Sequence, residues 1–157
     1  MKKIGVCCLL VLCLLLLSLP ALADVPEIDV PAKSAVLIDA ASGAILYEKD
    51  AHLQLPNAST TKIVTALLVL ESGDLDRTVT VPTDFINAGE SSIWLQPGET
   101  HTLRDLFYAM MLKSANDAAQ VLAYAVAGSE ELFVEQMNAK AAELGLENTH
   151  FTNCYGL

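Results

Sequence analysis

The sequence predicts an α/β domain of the α+β type, in which an antiparallel sheet packs on a helical cluster. Two short apolar runs, residues 35–39 and 44–48, are joined by a turn that ends in Gly43, which is typical of a β-hairpin. Farther along the chain, four segments repeat apolar residues at helical spacing instead. The hairpin and these four helices are the elements on which the fold prediction depends.

The first helix is predicted over residues 59–72 and ends at Gly73. It is apolar on every side, so we expect a central helix that its neighbours bury. Residues 76–100 are predicted to be irregular, with short extended pieces. Three further helices follow, and they run from Thr102 to Lys113, from Asp117 to Ala127 and from Ser129 to Gly145.

Residues 1–23 have the pattern of a secretory signal peptide. Lys2 and Lys3 precede an apolar run over residues 4–19, and Ala21-Leu22-Ala23 supplies the small residues of a cleavage site. An uncleaved N-terminal anchor is the alternative. We expect cleavage after Ala23 and export to the periplasm or to the outer face of the cytoplasmic membrane.

Charge and metal-ligand spacing exclude several kinds of partner for residues 24–157. Without Lys2 and Lys3, seven of the nine basic residues remain against nineteen acidic ones, which gives a net charge of −12. This balance argues against binding to nucleic acid. The three histidines share no ligand spacing, so we expect no metal and no cofactor. Cys154 is the one cysteine of this segment, and we expect it to be a partly buried bystander.

Ser59 and Lys62 lie one helical turn apart at the start of an apolar helix. A serine becomes a nucleophile when a neighbouring base takes its proton, and a buried lysine with a lowered pKa can be that base. The alternative is structural, with Asn57 or Ser59 capping the helix and Lys62 reaching solvent. The Ser-x-x-Lys pattern alone does not decide between the two.

A second polar pattern, Ser114-Ala115-Asn116, interrupts two predicted helices. A loop at this place can direct both polar side chains into a cleft, where the hydroxyl could move a proton and the carboxamide could hold a lysine. The alternative is a helix break in which Ser114 or Asn116 caps the next helix.

Together, in this order, the two patterns resemble the penicillin-recognising serine enzymes of the β-lactamase/transpeptidase-like superfamily. The longer segments "SAVLIDAASGAILYEKDAHLQLPNASTTKIVTALLVLE", "SSIWLQPGE", "LRDLFYAMMLKSANDAAQVLA" and "LGLENTHFTNCYGL" are similar to the low-molecular-weight penicillin-binding proteins that are D-alanyl-D-alanine carboxypeptidases. The resemblance implies an acyl-enzyme hydrolase that removes the terminal D-alanine from peptidoglycan stem peptides, with a role in the cell wall and cell shape. It also implies that β-lactams acylate the same serine.

The resemblance assigns a role to each of four residues. Ser59 would be the acyl-accepting nucleophile and Lys62 its general base. Ser114 would assist proton transfer, and Asn116 would position the substrate. The backbone N–H of Ser59 would supply half of the oxyanion hole.

The third element of the family signature, Lys-Thr-Gly, does not occur in this sequence. We therefore expect residues 24–157 to be the N-terminal part of a truncated catalytic domain, which a fluorescent penicillin does not acylate on its own. Two alternatives stay open. The first is a serine β-lactamase, which has the same fold and the same first two elements, and the second is a non-catalytic exported remnant.

Overall fold

The computed structural model describes residues 28–157, so the predicted signal peptide at residues 1–23 lies outside the described residues. The chain divides into two compact units between Leu53 and Gln54. No helix within residues 28–157 has the length and apolar character that crossing a membrane requires.

The first unit contains the predicted hairpin, which is confirmed. Strands β1 (Ala35–Ile38) and β2 (Ile45–Lys49) pair in an antiparallel ladder. The connecting turn is held by the Asp39 carboxylate, which accepts hydrogen bonds from the backbone N–H of Ser42 at 2.8 Å and from its hydroxyl at 2.5 Å. Gly43 follows with φ of +73°, a left-handed conformation that residues with a Cβ seldom adopt.

The second unit contains four helices and a small two-stranded sheet. A 3₁₀ turn (Ala58–Thr61) leads into α1 (Lys62–Glu71), and the later helices are α2 (Leu103–Lys113), α3 (Asn116–Ala127) and α4 (Glu130–Glu143). Strands β3 (Thr78–Thr80) and β4 (Thr100–Thr102) pair antiparallel at the two ends of the irregular segment. The four helices lie where the sequence predicts them, with end shifts of a few residues.

The helix ends explain why the later helices could be predicted closely. The side chain of Thr102 accepts a hydrogen bond from the backbone N–H of Asp105 at 3.1 Å, and Ser129 does the same for Leu132 at 3.2 Å. Each cap satisfies one N–H that the helix itself cannot pair. The intervening helix, α3, ends at Gly128, which has φ of +86°.

Helix α1 differs from the prediction of a helix buried on all sides. Within the second unit its buried face contains two polar residues, Lys62 and Thr65, whereas the apolar residues Ile63 and Leu70 are exposed. The remaining core of this unit is apolar and comes mainly from α2, α3 and α4, with Leu106, Met110, Val121, Leu122, Phe133 and Met137 fully buried. The buried face of α1 therefore carries Lys62 and Thr65 next to the apolar residues Ala66, Leu68 and Val69.

Candidate active site

The structure brings the four predicted site residues into one hydrogen-bonded cluster. Ser59 lies in the 3₁₀ turn, and the Nζ of Lys62 is 3.3 Å from its Oγ. The hydroxyl of Ser114 donates to the same Oγ at 2.9 Å, across 55 positions of sequence. The Nζ of Lys62 donates to Oδ1 of Asn116 at 2.7 Å. Ser59 is thus contacted by one group from each sequence pattern, the Lys62 amine and the Ser114 hydroxyl.

The break between α2 and α3 explains how Ser114 reaches Ser59. Ser114 follows the last residue of α2 with φ of +56° and ψ of +31°, a left-handed conformation that ends the helix. The chain then extends through Ala115 and starts α3 at Asn116. Serine pays a steric cost in this conformation, which a tertiary contact must offset. Ser114 does not cap α3 as the structural alternative proposes, because the N-cap position is occupied by Ala115 and has no side-chain hydrogen bond.

Lys62 is buried, with only 3% of its surface exposed, and does not reach solvent. Besides Ser59 and Asn116, its Nζ contacts the backbone carbonyl oxygen of Tyr155 at 2.8 Å. Burial lowers the pKa of the Lys62 ammonium, and the neighbouring Cys154 opposes this only partly. Three oxygen atoms therefore surround the Lys62 nitrogen, which is easier to deprotonate than that of an ordinary lysine.

Two contributors to this site have no signal in the sequence pattern. The carbonyl of Tyr155 is a backbone group, so no residue type in that position announces it. The sequence predicts that Asp117 begins a helix, and it does lie in the first turn of α3, but its carboxylate is fully buried and accepts hydrogen bonds from the preceding loop.

A shallow pocket of about 310 Å³ opens beside the nucleophile candidate. Its lining includes Ser59, Lys62 and Ser114 together with the apolar side chains of Ile63, Met110 and Met111. Met110 is a buried core residue, whereas Met111 is 46% exposed and faces this space. Among the residues that the structure describes, no group of three or more His, Cys, Asp or Glu side chains could hold a metal ion.

Comparison with known proteins places this geometry in a family. The profile of the D-alanyl-D-alanine carboxypeptidase family, Peptidase S11, matches residues 21–157. The chain is 42% identical over 136 residues to the D-alanyl-D-alanine carboxypeptidase DacF of Bacillus subtilis, which covers 83% of this chain and 35% of that protein. It is 38% identical over 134 residues to DacB2 of Mycobacterium tuberculosis, which covers 85% and 46%. The chain thus spans between a third and a half of these relatives.

Solved structures confirm the predicted fold class. A D-alanyl-D-alanine carboxypeptidase from Mycobacterium tuberculosis superposes with a TM-score of 0.81 at 38% identity, over 88% of this chain and 52% of that one. Penicillin-binding protein D2 of Listeria monocytogenes, in its ampicillin-bound form, gives 0.72 at 32% identity, over 84% and 55%. These are α+β proteins of the penicillin-binding, transpeptidase-like fold. The chain belongs to the D-alanyl-D-alanine carboxypeptidase family, Peptidase S11.

Proposed function

We propose that this chain carries the acylating residues of a serine-type D-alanyl-D-alanine carboxypeptidase that acts on peptidoglycan stem peptides. In this proposal residues 1–23 direct export, and residues 24–157 form the N-terminal part of the catalytic domain. The single observation that supports it best is the position of the Lys62 amine. It lies 3.3 Å from Ser59 Oγ while two other oxygen atoms occupy the rest of its hydrogen-bonding surface.

The three contacts of Lys62 fit a neutral amine as well as an ammonium. A neutral amine has two N–H donors and one lone pair. The two shorter contacts, to Asn116 Oδ1 at 2.7 Å and to the Tyr155 carbonyl at 2.8 Å, can take both donors, because neither acceptor carries a proton. The lone pair is then left for the longer contact, to Ser59 Oγ. The proposed general base is oriented by the two groups that do not react.

Acylation follows from this arrangement. As Ser59 Oγ attacks the carbonyl carbon of the penultimate D-alanine, its proton passes to the Lys62 nitrogen. The backbone N–H of Ser59, near the start of the 3₁₀ turn, faces the negative charge that develops on the carbonyl oxygen. Ser114, 2.9 Å from Ser59 Oγ, can then relay a proton to the departing amine of the terminal D-alanine. Water hydrolyses the resulting ester and restores the serine.

The relatives support the same substrate and inhibitor classes. They are D-alanyl-D-alanine carboxypeptidases, and one solved relative holds ampicillin. We therefore infer that the peptide substrate ends in D-alanyl-D-alanine, that β-lactams acylate Ser59, and that the work is done outside the cytoplasm, where peptidoglycan lies. No cofactor or metal enters the proposed reaction.

Labelling with a fluorescent penicillin tests the proposal on the protein produced from its own gene. Residues 24–157 on their own lack the Lys-Thr-Gly element, and we expect them to stay unlabelled. Where they occur together with a Lys-Thr-Gly segment, we expect covalent labelling that disappears in Ser59→Ala. Ser72→Ala is the matched control, because Ser72 lies at the C-terminal end of α1, the helix that follows the 3₁₀ turn, and its hydroxyl only contacts the carbonyl of Val69. Labelling that persists in Ser59→Ala contradicts the assignment of the nucleophile.

Product analysis separates the proposed activity from its alternatives. A carboxypeptidase releases free D-alanine from a peptide that ends in D-alanyl-D-alanine and turns over nitrocefin slowly. Rapid nitrocefin turnover without D-alanine release would instead indicate a serine β-lactamase. A non-catalytic protein gives neither product and no label.

A further inference from the structure

Asp117 is a buried carboxylate that the proposed reaction does not use. Its side chain is fully buried next to Asn116, the residue that contacts Lys62. Both of its oxygen atoms accept hydrogen bonds. The donors are the hydroxyl of Ser92 at 2.6 Å, the carboxamide of Asn87 at 3.2 Å, and the backbone N–H groups of Ile93 at 3.2 Å, Leu95 at 3.0 Å and Ala118 at 2.9 Å.

Four of these five donors belong to residues 87–95, a segment without regular structure that we call the 87–95 loop. Two of its residues with a Cβ, Glu90 and Trp94, have φ of +55° and +63°. Such left-handed residues are unfavourable unless their surroundings fix them. The N–H groups on both sides of Trp94 donate to Asp117, so this carboxylate holds the loop in a shape that its own backbone does not favour.

Two carbonyl oxygens of the 87–95 loop also accept hydrogen bonds from Asn116. The backbone N–H of Asn116 donates to Ser91 at 2.7 Å, and its side-chain Nδ2 donates to Gly89 at 3.0 Å. The second contact decides which way the carboxamide faces. With the NH₂ group on Gly89, the oxygen Oδ1 points at Lys62, whereas the reversed carboxamide would direct a donor at the amine.

The charge of Asp117 is consistent with this anchoring. Burial by itself would raise the pKa of the carboxyl group, but the hydrogen bonds from Ser92 and from the backbone N–H groups of Leu95, Ile93 and Ala118 outweigh it and lower the pKa. The group is therefore a carboxylate with acceptor sites for every donor that the loop directs at it.

We propose that Asp117 is a positioning residue, which acts through the 87–95 loop to hold the Asn116 carboxamide with its oxygen on Lys62. As a role in acylation, this inference rests on the proposed function, because it is through Lys62 that the orientation of Asn116 reaches Ser59. The anchoring itself is a structural relationship that can be measured without catalysis.

Solvent exchange of the Asn116 side-chain amide, followed by NMR, tests the anchoring. In Asp117→Asn we expect this exchange to rise about tenfold or more relative to that of the buried Val69 backbone amide, which reports the stability of α1. Asp105→Asn is the matched control, an exposed first-turn aspartate of α2. Ser92→Ala, which keeps the charge and removes one donor, should shift the ratio in the same direction by less.

Equal changes at Asn116 and Val69 would show that Asp117 only stabilises the unit and would overturn the proposal. So would an unchanged ratio in both Asp117→Asn and Ser92→Ala. Because Ser92→Ala keeps the buried carboxylate and removes one of its five donors, it still gives an answer if Asp117→Asn does not fold.

A double-mutant cycle tests the connection to acylation. If Asp117 acts through Asn116, Asp117→Asn should slow labelling by a fluorescent penicillin about tenfold in the wild-type background and hardly at all in Asn116→Ala. Equal slowing in both backgrounds contradicts the inference while leaving the proposed function intact. If the wild-type residues are not labelled even together with a Lys-Thr-Gly segment, the proposed function fails instead, and the exchange measurement still decides whether Asp117 anchors the loop.

Discussion

Gly156 lies directly against the backbone carbonyl group of Ala58, the residue before the proposed nucleophile. A Cβ added to Gly156 would overlap this carbonyl and approach the hydroxyl of Thr61 to 3.0 Å. Gly156 also has φ of +93°, and its N–H donates to Oδ1 of Asn153 at 2.5 Å. The segment around Gly156 therefore holds the start of the 3₁₀ turn at a distance that only glycine permits.

We predict that, among the left-handed glycines of residues 28–157, Gly156 is the one whose change to alanine destabilises the protein most. The left-handed conformation alone costs about 1–2 kcal/mol for alanine. Overlap with a backbone atom, which cannot swing aside as a side chain does, adds about 1–3 kcal/mol. Urea unfolding measures the difference. Gly145→Ala is the control, because Gly145 has φ of +72° but open space around its Cα. Equal losses in the two variants would contradict the close approach.

Gly156 also shows where prediction from the sequence ends. The helices follow from apolar periodicity, from capping residues such as Thr102 and Ser129, and from the glycines that end them, all of which are local signals. The hairpin follows from two apolar runs around Gly43. The contact between Gly156 and Ala58 joins residues that are nearly a hundred positions apart, and no local pattern encodes it.

The candidate site, too, could be predicted from the sequence only in part. Its side chains could be predicted because Ser59 and Lys62 share one turn, and because Ser114 and Asn116 interrupt two helices. Its backbone groups could not, since the carbonyl of Tyr155 would be present with any residue type. The error about α1 has a related cause. Periodicity detects apolar residues and has no means of assigning Lys62 to the buried face, which depends on oxygen atoms from other elements.

The pKa of Lys62 should lie below that of an ordinary lysine. Burial disfavours the ammonium, so the folded chain releases this proton at lower pH than the unfolded chain, whose lysines titrate near about 10.4. Between these two pKa values the unfolded state binds more protons, so the contribution of Lys62 to stability increases as pH rises through this window. Acylation should rise with pH over the titration of Lys62, because the neutral amine is the base.

NMR titration of the lysine side chains measures this shift directly. Lys140 provides an internal comparison of opposite sign, because hydrogen bonds from its ammonium to Glu143 and Glu71 raise its pKa. We expect Lys62 to titrate at lower pH than Lys140, and its signal to be missing from the spectrum of Lys62→Met. A Lys62 titration at or above that of Lys140 would be incompatible with a general base at this position.

Thr65 should stabilise the fold through one buried hydrogen bond. Its hydroxyl donates to the carbonyl oxygen of Cys154 at 2.7 Å, and the residue is fully buried on α1. Thr65→Val keeps the shape but leaves that carbonyl without its donor, which costs about 1–3 kcal/mol. Thr80→Val is the matched control, since Thr80 is exposed and shares its hydroxyl only with Thr100, and it should change stability by less than about 0.5 kcal/mol. Chemical denaturation of the two variants would refute the prediction if their losses were alike.

Cys154 should resist alkylation as long as the protein is folded. The sequence predicts a partly buried bystander, whereas the structure buries Cys154 completely, with none of its surface exposed. Burial raises the pKa of the thiol far above its usual range, and the carboxylate of Glu130, with Oε1 at 3.6 Å from Sγ, adds to the effect. The reactive thiolate is therefore scarce as well as inaccessible.

Treatment with iodoacetamide at pH 8, followed by peptide mass spectrometry, should modify Cys154 in urea and leave it intact in buffer. Glu130→Gln should stay protected too, because burial is the larger cause. Native-state modification as fast as that of the unfolded chain would mean that the segment between Phe151 and Gly156 opens readily, and that the Tyr155 carbonyl cannot be a fixed partner of Lys62.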